Sequence, residues 1–116
     1  MIINKPWGTY EVLLDEPSYK VKRIRVKSHS RFSLQYHNHR EEHWIIIDGI
    51  GTVTQDDNKF QVRPGEYVHI PIGQVHRLYG GESGITFIEI QKGKCTEDDI
   101  VRLEDDYGRG RISVLG

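Results

Sequence analysis

Side chains that can bind a metal are concentrated in the stretch FSLQYHNHREEHW, residues 32–44. It contains Gln35, His37, His39, Glu41, Glu42 and His43. Imidazole nitrogens and carboxylate or amide oxygens are suitable donors for borderline divalent ions such as Zn²⁺. The stretch therefore predicts a metal site, and the spacing of the six residues bears on which of them are its ligands.

Two ligand sets are compatible with this spacing. In the first, the three histidines His37, His39 and His43 bind the ion. In the second, Gln35 and His37 point to one side of a strand, because strand residues two apart share a face. Glu42, at the start of the next apolar strand, would then meet them across a hairpin. Strand geometry allows the second set without excluding the first.

The elements that must position these residues are short and strand-like. Segments such as TYEVLL, YKVKRIRV, EYVHIPI and ITFIEIQ alternate or are continuously apolar, and most are separated by Gly or Pro. Strands at roughly eight- to twelve-residue spacing predict an all-β sandwich or barrel. Only TEDDIVRLEDDYG, residues 96–108, could form a short C-terminal helix, with Thr96 as its cap; an extended tail is the alternative.

Length, charge and composition restrict the classes of function. The chain has 116 residues, with 16 basic and 17 acidic side chains and a formal net charge of −1. We expect one domain over residues 1–116, with a C-terminal tail from about residue 96, and no nucleic-acid or membrane partner. The amino terminus does not resemble a signal peptide, and the single Cys95 excludes an internal disulfide and a cysteine-based zinc knuckle. These features predict a cytoplasmic protein.

Two patterns resemble the two sequence motifs of the cupin family. Gln35-x-His37 followed by Glu42 resembles the first motif, with Gln35 in place of its first histidine, and GEYVHIPIGQVH, residues 65–76, resembles the second. The resemblance implies a cupin-type double-stranded β-helix, a jelly-roll barrel, in which Gln35, His37, Glu42 and His76 hold one divalent metal ion. Zn²⁺ is the expected ion, with Mn²⁺, Co²⁺, Ni²⁺ or Fe²⁺ as alternatives. A mixed N/O set leaves a coordination position open for water or substrate.

A closer resemblance covers nearly the whole chain, from Pro6 to about Arg109. The segments KPWGTYEVLL, LQYHNHREEHW and EDDIVRLEDDYGR are similar to the C-terminal domain of type II mannose-6-phosphate isomerases. In that family the domain usually follows a mannose-1-phosphate guanylyltransferase domain. These 116 residues contain no such domain, so guanylyltransferase activity is not implied. His29 stands where the first motif usually opens with glycine.

The resemblance implies a metal-dependent isomerase that interconverts mannose 6-phosphate and fructose 6-phosphate through an enediol(ate). The metal would stabilise the developing oxyanion, and a general base would move the proton. The base candidates near the ligands are His39, Glu41 and His43. The candidates for binding the substrate phosphate are Arg31, Arg77 and Arg109, because a guanidinium matches a phosphate better than an ammonium does.

Two other functions remain compatible with the same residues. One is a non-catalytic cupin that binds a metal or a sugar beside a separate guanylyltransferase. The other is a dioxygenase-type cupin, which needs a redox-active metal and a largely apolar pocket. The many arginines and lysines argue against the second alternative, and a barrel by itself does not decide among chemistries.

The run of three isoleucines at 45–47 is apolar on both faces of its strand. A strand with one solvated face should alternate, so something must cover the outer face. We therefore expect a homodimer packed through this sheet. The aromatic residues Trp7, Trp44, Phe60 and Phe87 are expected in the core or in an interface.

Overall fold

A computed structural model describes residues 1–109, in which the chain forms nine strands of one curled antiparallel sheet. The strands are β1 (Ile2–Lys5), β2 (Gly8–Glu16), β3 (Tyr19–Val26), β4 (Leu34–Tyr36), β5 (Arg40–Gln55), β6 (Asn58–Val62), β7 (Tyr67–Ile70), β8 (His76–Gly93) and β9 (Val101–Glu104). The predicted all-β class is confirmed. No helix in this part of the chain has the length and hydropathy to span a membrane.

The two long strands β5 and β8 pair with each other along almost their whole length, from Arg40↔Gly93 to Gln55↔His76. Their pairing shifts register near Gly49, where φ is +81° and a Cβ would lie 2.2 Å from the carbonyl oxygen of Gly84. Only glycine permits this close backbone approach in that conformation. The bend at this point lets the β5–β8 pair follow the curl of the sheet, so that both strands run through its two opposing sides.

The C-terminal segment follows the extended alternative and not the helical one. Thr96 and Asp99 form a turn, and β9 then pairs with β4, with Arg102 opposite Gln35. The Asp99 carboxylate accepts hydrogen bonds from the backbone amides of Asn38 and His39, each at 2.9 Å. These tertiary partners replace those that a helix would supply. Residues 110–116 of the predicted domain and tail lie outside the described residues.

The core lies on the inner face of the sheet, where alternate residues of β5 and β8 meet. Trp44 and Phe87 are fully buried, with ring centroids 4.9 Å apart, and Trp7 is also buried. Truncating Trp44 or Phe87 to alanine would lower the free energy of unfolding by about 3–5 kcal/mol. Phe60 is exposed, so the aromatic residues do not all belong to the core. Glu42 lies on this inner face too, two residues before Trp44 on β5.

Candidate metal centre

The structure brings all four predicted ligands together inside the curled sheet. Gln35 on β4 lies directly opposite His76, the first residue of β8. His37 follows β4 immediately, and Glu42 projects from the inner face of β5 because it is two residues before the core residue Trp44. Three neighbouring strands thus position one cluster.

The ligand atoms of His37, Glu42 and His76 converge on a small volume. His37 Nε2 is 3.1 Å from Glu42 Oε2, and His76 Nε2 is 3.8 Å from Glu42 Oε1. One ligand atom from each of the three residues lies within 4.8 Å of the others, and all three side chains are buried. An N₂O set at this spacing suits a borderline divalent ion.

Hydrogen bonds to the far side of each imidazole orient both rings. His37 Nδ1 is 2.6 Å from the carbonyl oxygen of Asp99, and His76 Nδ1 is 2.9 Å from that of Gln74. A carbonyl only accepts, so each Nδ1 donates its hydrogen, and each Nε2 offers a lone pair whenever its ring is neutral. His76 Nε2 is buried without a hydrogen-bond partner among residues 1–109. A metal ion would satisfy this atom, so the residues fit a metal.

Gln35 lies beside this cluster as the fourth predicted ligand. Its Nε2 is 3.5 Å from His37 Nε2, and its Oε1 accepts a hydrogen bond from Ser33 Oγ at 2.6 Å. Rotating the amide by 180° would turn the oxygen towards the histidines. Gln35 can therefore supply an oxygen ligand from its present position.

The charge of the cluster favours metal binding over protonation. Burial lowers the pKa of His76 to about 4, so its imidazole is neutral near pH 7. Burial alone would raise the pKa of Glu42, but the hydrogen bond with His37 and the nearby Arg40 charge hold it well below its ordinary range. Arg40 Nε donates to Glu42 Oε2 at 3.0 Å. The cluster thus presents a neutral imidazole and an ionised carboxylate.

A cavity of about 150 Å³ opens beside the ligands and is rich in cations. Gln35 and Glu42 line it together with the aromatic side chains of Trp7, Tyr10 and Phe32. Its positively charged lining residues are Lys5, Lys22, Arg40, Arg102 and Arg109. The carboxylates of Glu42, Glu89 and Glu97 also line the cavity, so basic side chains outnumber acidic ones in its wall by five to three.

Arg102 is a cavity residue that sequence reasoning missed. It lies on β9 opposite Gln35, and its Nε is buried without a hydrogen-bond partner in the described part of the chain. Burial, together with the charge of Arg109, lowers the pKa of Arg102. A guanidinium with a buried, unsatisfied N–H donor can bind an anion without losing an existing hydrogen bond at that atom.

Of the three arginines predicted to bind phosphate, only Arg109 lines the cavity, where Asp105 holds its guanidinium at 2.9 Å. Arg31 pairs instead with Asp106 at 2.8 Å, and Arg77 donates to Glu104 at 2.6 Å and to a backbone carbonyl. Carboxylates of the C-terminal segment thus neutralise both of these arginines. The structure does not bring Arg31 or Arg77 to the cavity.

The structure also separates the predicted base candidates from the ligand cluster. Glu41 and His43 alternate with Glu42 along β5 and therefore project from the outer face, where His43 contacts Tyr67. His39 is exposed in the turn before β5. None of the three lines the cavity.

Glu89 is a carboxylate in the cavity wall that the sequence analysis did not single out. It is buried on β8 opposite Trp44 and accepts a hydrogen bond from Gln91 Nε2 at 2.6 Å. Burial, followed by the charge of Glu42, raises the pKa of Glu89 to about 8. The signal was present in ITFIEIQ, since a carboxylate that shares a strand face with Phe87 must point inward.

Residues 1–105 match the family described as Mannose-6-phosphate isomerase C-terminal. The chain belongs to this family. The match includes all four predicted ligands, Glu89 and Arg102. The resemblance seen in the motifs is thereby confirmed.

Curated relatives show the same family membership. The chain is 45% identical over 109 residues to the alginate biosynthesis protein AlgA of Pseudomonas aeruginosa, covering 92% of this chain and 23% of that protein. It is 42% identical over 109 residues to a mannose-1-phosphate guanylyltransferase of Klebsiella pneumoniae, with coverage of 92% and 23%. The chain therefore spans less than a quarter of the length of these two relatives.

Solved structures establish the cupin fold. KdgF from Halomonas sp. superposes with a TM-score of 0.77 at 13% identity, covering 84% of this chain and 91% of that one. Oxalate decarboxylase from Bacillus subtilis superposes with a TM-score of 0.81 at 18% identity, covering 99% of this chain and 33% of that one. At these identities the likeness concerns the fold alone, and it confirms the predicted double-stranded β-helix.

Proposed function

We propose that this family member is a metal-dependent sugar-phosphate isomerase that interconverts mannose 6-phosphate and fructose 6-phosphate. One observation carries the proposal: two of the proposed ligands, Gln35 and Glu42, line a cavity whose wall also carries five cationic side chains. An ion site beside an anion-binding wall suits a phosphorylated sugar. The family name and the names of the full-length relatives agree with this substrate class. A cytoplasmic location is part of the proposal.

Four side chains would hold the metal, and Zn²⁺ is our first choice. His37 and His76 would bind it through Nε2, Glu42 through its carboxylate and Gln35 through its amide oxygen. A bound ion would supply Lewis-acid chemistry, which stabilises negative charge on the sugar oxygens. The buried rings and the hydrogen bonds to Asp99 and Gln74 keep the histidines oriented for this role.

The phosphate group is proposed to bind at Arg102 and Arg109, with Lys5 also on the cavity wall. Arg102 would donate from its unpartnered Nε, which gives up no existing hydrogen bond in the described residues. This assignment replaces Arg31 and Arg77, neither of which lines the cavity. The phosphate would anchor the sugar so that its reacting carbons face the ligand cluster.

Glu89 is proposed to carry the proton between C2 and C1 of the sugar. Its position supports the role, because it is the buried cavity carboxylate next to Glu42 that the proposed ligand set does not use. In the aldose-to-ketose direction an oxygen of ionised Glu89, the form that predominates above its raised pKa of about 8, would take the C2 proton and return it to C1. The sugar O1 gains a proton as the O2 hydroxyl loses one, so the step is balanced.

The test follows mannose 6-phosphate by proton NMR in D₂O with chelator-stripped protein reloaded in turn with Zn²⁺, Co²⁺ or Mn²⁺. We expect metal-dependent formation of fructose 6-phosphate and deuterium incorporation at C2, both lost in His76→Ala. His39→Ala is the matched control, because it removes an exposed imidazole outside the cavity and should retain activity.

Metal bound at the cluster without deuterium exchange under any of these ions would refute the isomerase. Saturable binding of mannose 6-phosphate without turnover would then identify a metal- or sugar-binding cupin. Oxygen uptake dependent on Fe²⁺ would instead indicate dioxygenase chemistry.

A further inference from the structure

A second group of metal-binding side chains lies on the outer face of the sheet. His43 on β5 and His69 on β7 are directly opposite each other, and Glu41 precedes His43 by two residues on the same face. His43 Nε2 is 2.6 Å and His69 Nε2 is 3.3 Å from the same carboxylate oxygen, Glu41 Oε1. One ligand atom from each of the three lies within 4.8 Å of the others.

The imidazoles of this outer cluster are already oriented. The rings of His43 and His69 stack with centroids 4.7 Å apart and planes 13° apart, and His43 also stacks on Tyr67. The Tyr67 hydroxyl is hydrogen-bonded to His43 Nδ1. His43 Nε2 donates its hydrogen to Glu41 Oε1 in this structure, so a metal ion would have to displace that proton, with Nδ1 then donating to the Tyr67 hydroxyl.

We propose that Glu41, His43 and His69 form a second divalent-metal site, separate from the inner centre and facing solvent. Two imidazole nitrogens and one carboxylate oxygen are a common zinc ligand set. Ligand atoms about 2.0–2.1 Å from a tetrahedral Zn²⁺ lie about 3.3 Å apart. The 3.3 Å between His69 Nε2 and Glu41 Oε1 matches this spacing, and the 2.6 Å hydrogen bond of His43 Nε2 would lengthen on metal binding. The partial exposure of all three residues leaves a fourth position for water or for a side chain of another molecule.

Two paired strands make the site possible. Alternation sends Glu42 inward to the first centre and Glu41 and His43 outward, and the β5–β7 register then adds His69. The inference does not depend on isomerase activity, because no residue of the outer cluster lines the cavity.

The experiment measures zinc stoichiometry on untagged, chelator-stripped full-length chain by equilibrium dialysis and elemental analysis. We expect two equivalents in the wild type, one fewer in His69→Ala, and no loss in His39→Ala, the matched exposed histidine. Histidine side-chain ¹⁵N NMR provides the site-specific reading, in which Zn²⁺ should shift the Nε2 resonances of His43 and His69.

Loss of one equivalent in His69→Ala supports the site whatever the inner centre binds, because the inner ligands are unchanged in that variant. Two results would overturn the inference: an unchanged stoichiometry in His69→Ala, or Nε2 resonances of His43 and His69 that do not move at saturating Zn²⁺. His69 is exposed, so its replacement by alanine leaves the buried core intact.

Discussion

The metal-binding potential of residues 32–44 is divided between the two faces of one strand. Glu41 and Glu42 are neighbours in sequence, yet one carboxylate meets His43 outside and the other meets His37 inside. A carboxylate in the interior is stable only with charged or hydrogen-bonding partners, and Arg40 and Trp44 Nε1 supply them for Glu42. The environment of each residue, rather than its type, sets its role.

Replacing Glu89 with glutamine tests the proposed proton carrier. We expect Glu89→Gln to lower kcat by about 10²–10⁴-fold with zinc content unchanged, because the amide cannot accept the proton. Glu16→Gln, at an exposed position on β2, is the matched control and should retain full activity. An active Glu89→Gln together with an inactive Glu41→Gln would place the base on the outer face and contradict the proposal.

Replacing Arg102 with glutamine tests the proposed phosphate contact. A charge-assisted hydrogen bond contributes about 1.5–3 kcal/mol, so KM for the sugar phosphate should rise about ten- to hundredfold while kcat changes less. Arg31→Gln provides the comparison, since Asp106 and Glu104 already occupy that guanidinium. A larger increase of KM in Arg31→Gln than in Arg102→Gln would contradict the proposal. It would indicate that the phosphate binds Arg31, as predicted from the sequence.

At the scale of elements, the long pair β5–β8 carries most of the site. Its inner face supplies Glu42, His76 and Glu89, and β8 also pairs with β3 and β4 on its other edge. The short strand β9 closes the arrangement by adding Arg102 next to Gln35. A segment with helix-capping residues is extended here because β4 offers its backbone groups hydrogen-bond partners.

The bend in β5 should be sensitive to any side chain at Gly49. Gly49→Ala places a methyl group against the Gly84 carbonyl, whereas Gly65→Ala, with a similar φ of +88°, meets open space. Both variants incur about 1–2 kcal/mol of backbone strain, and Gly49→Ala should lose a further 1–3 kcal/mol from the clash. Urea unfolding followed by tryptophan fluorescence measures the difference, and equal losses would contradict the steric explanation.

At the scale of the whole molecule, part of the outer face of the sheet, beside the cluster of Glu41, His43 and His69, carries exposed apolar side chains on three strands. Ile45 and Ile47 on β5 are 37% and 52% exposed, and Tyr67 on β7 and Ile90 on β8 extend the patch. Exposed apolar side chains that cluster in this way are typical of interaction sites. The predicted homodimer stays a proposal, with a second copy of the chain as the occupant.

Light scattering coupled to size-exclusion chromatography tests the dimer. We expect twice the chain mass at micromolar concentration with chelator present, and the chain mass for Ile47→Lys, because a buried unpaired ammonium opposes the packing. Leu13→Lys changes a comparably exposed residue on β2 and should remain dimeric. A monomeric wild type would contradict the proposal.

Period-two alternation made much of the fold and the inner site predictable. It identified the strands, placed Gln35 with His37, and assigned Glu42 to the face of Trp44, as the structure has them. The motif resemblance added His76 and the barrel. The alternation of side chains is a local property of each strand, so it can be read from the sequence without knowing which strands become neighbours.

Only the tertiary structure decided which distant residues join these faces. Arg102 meets Gln35 through β9, His69 meets His43 through β7, and Glu104 neutralises Arg77. Each of these pairings depends on strand order and register, which long-range packing sets. The sequence by itself therefore determined the side of a strand on which each ligand lies, while the fold determined what that ligand meets there.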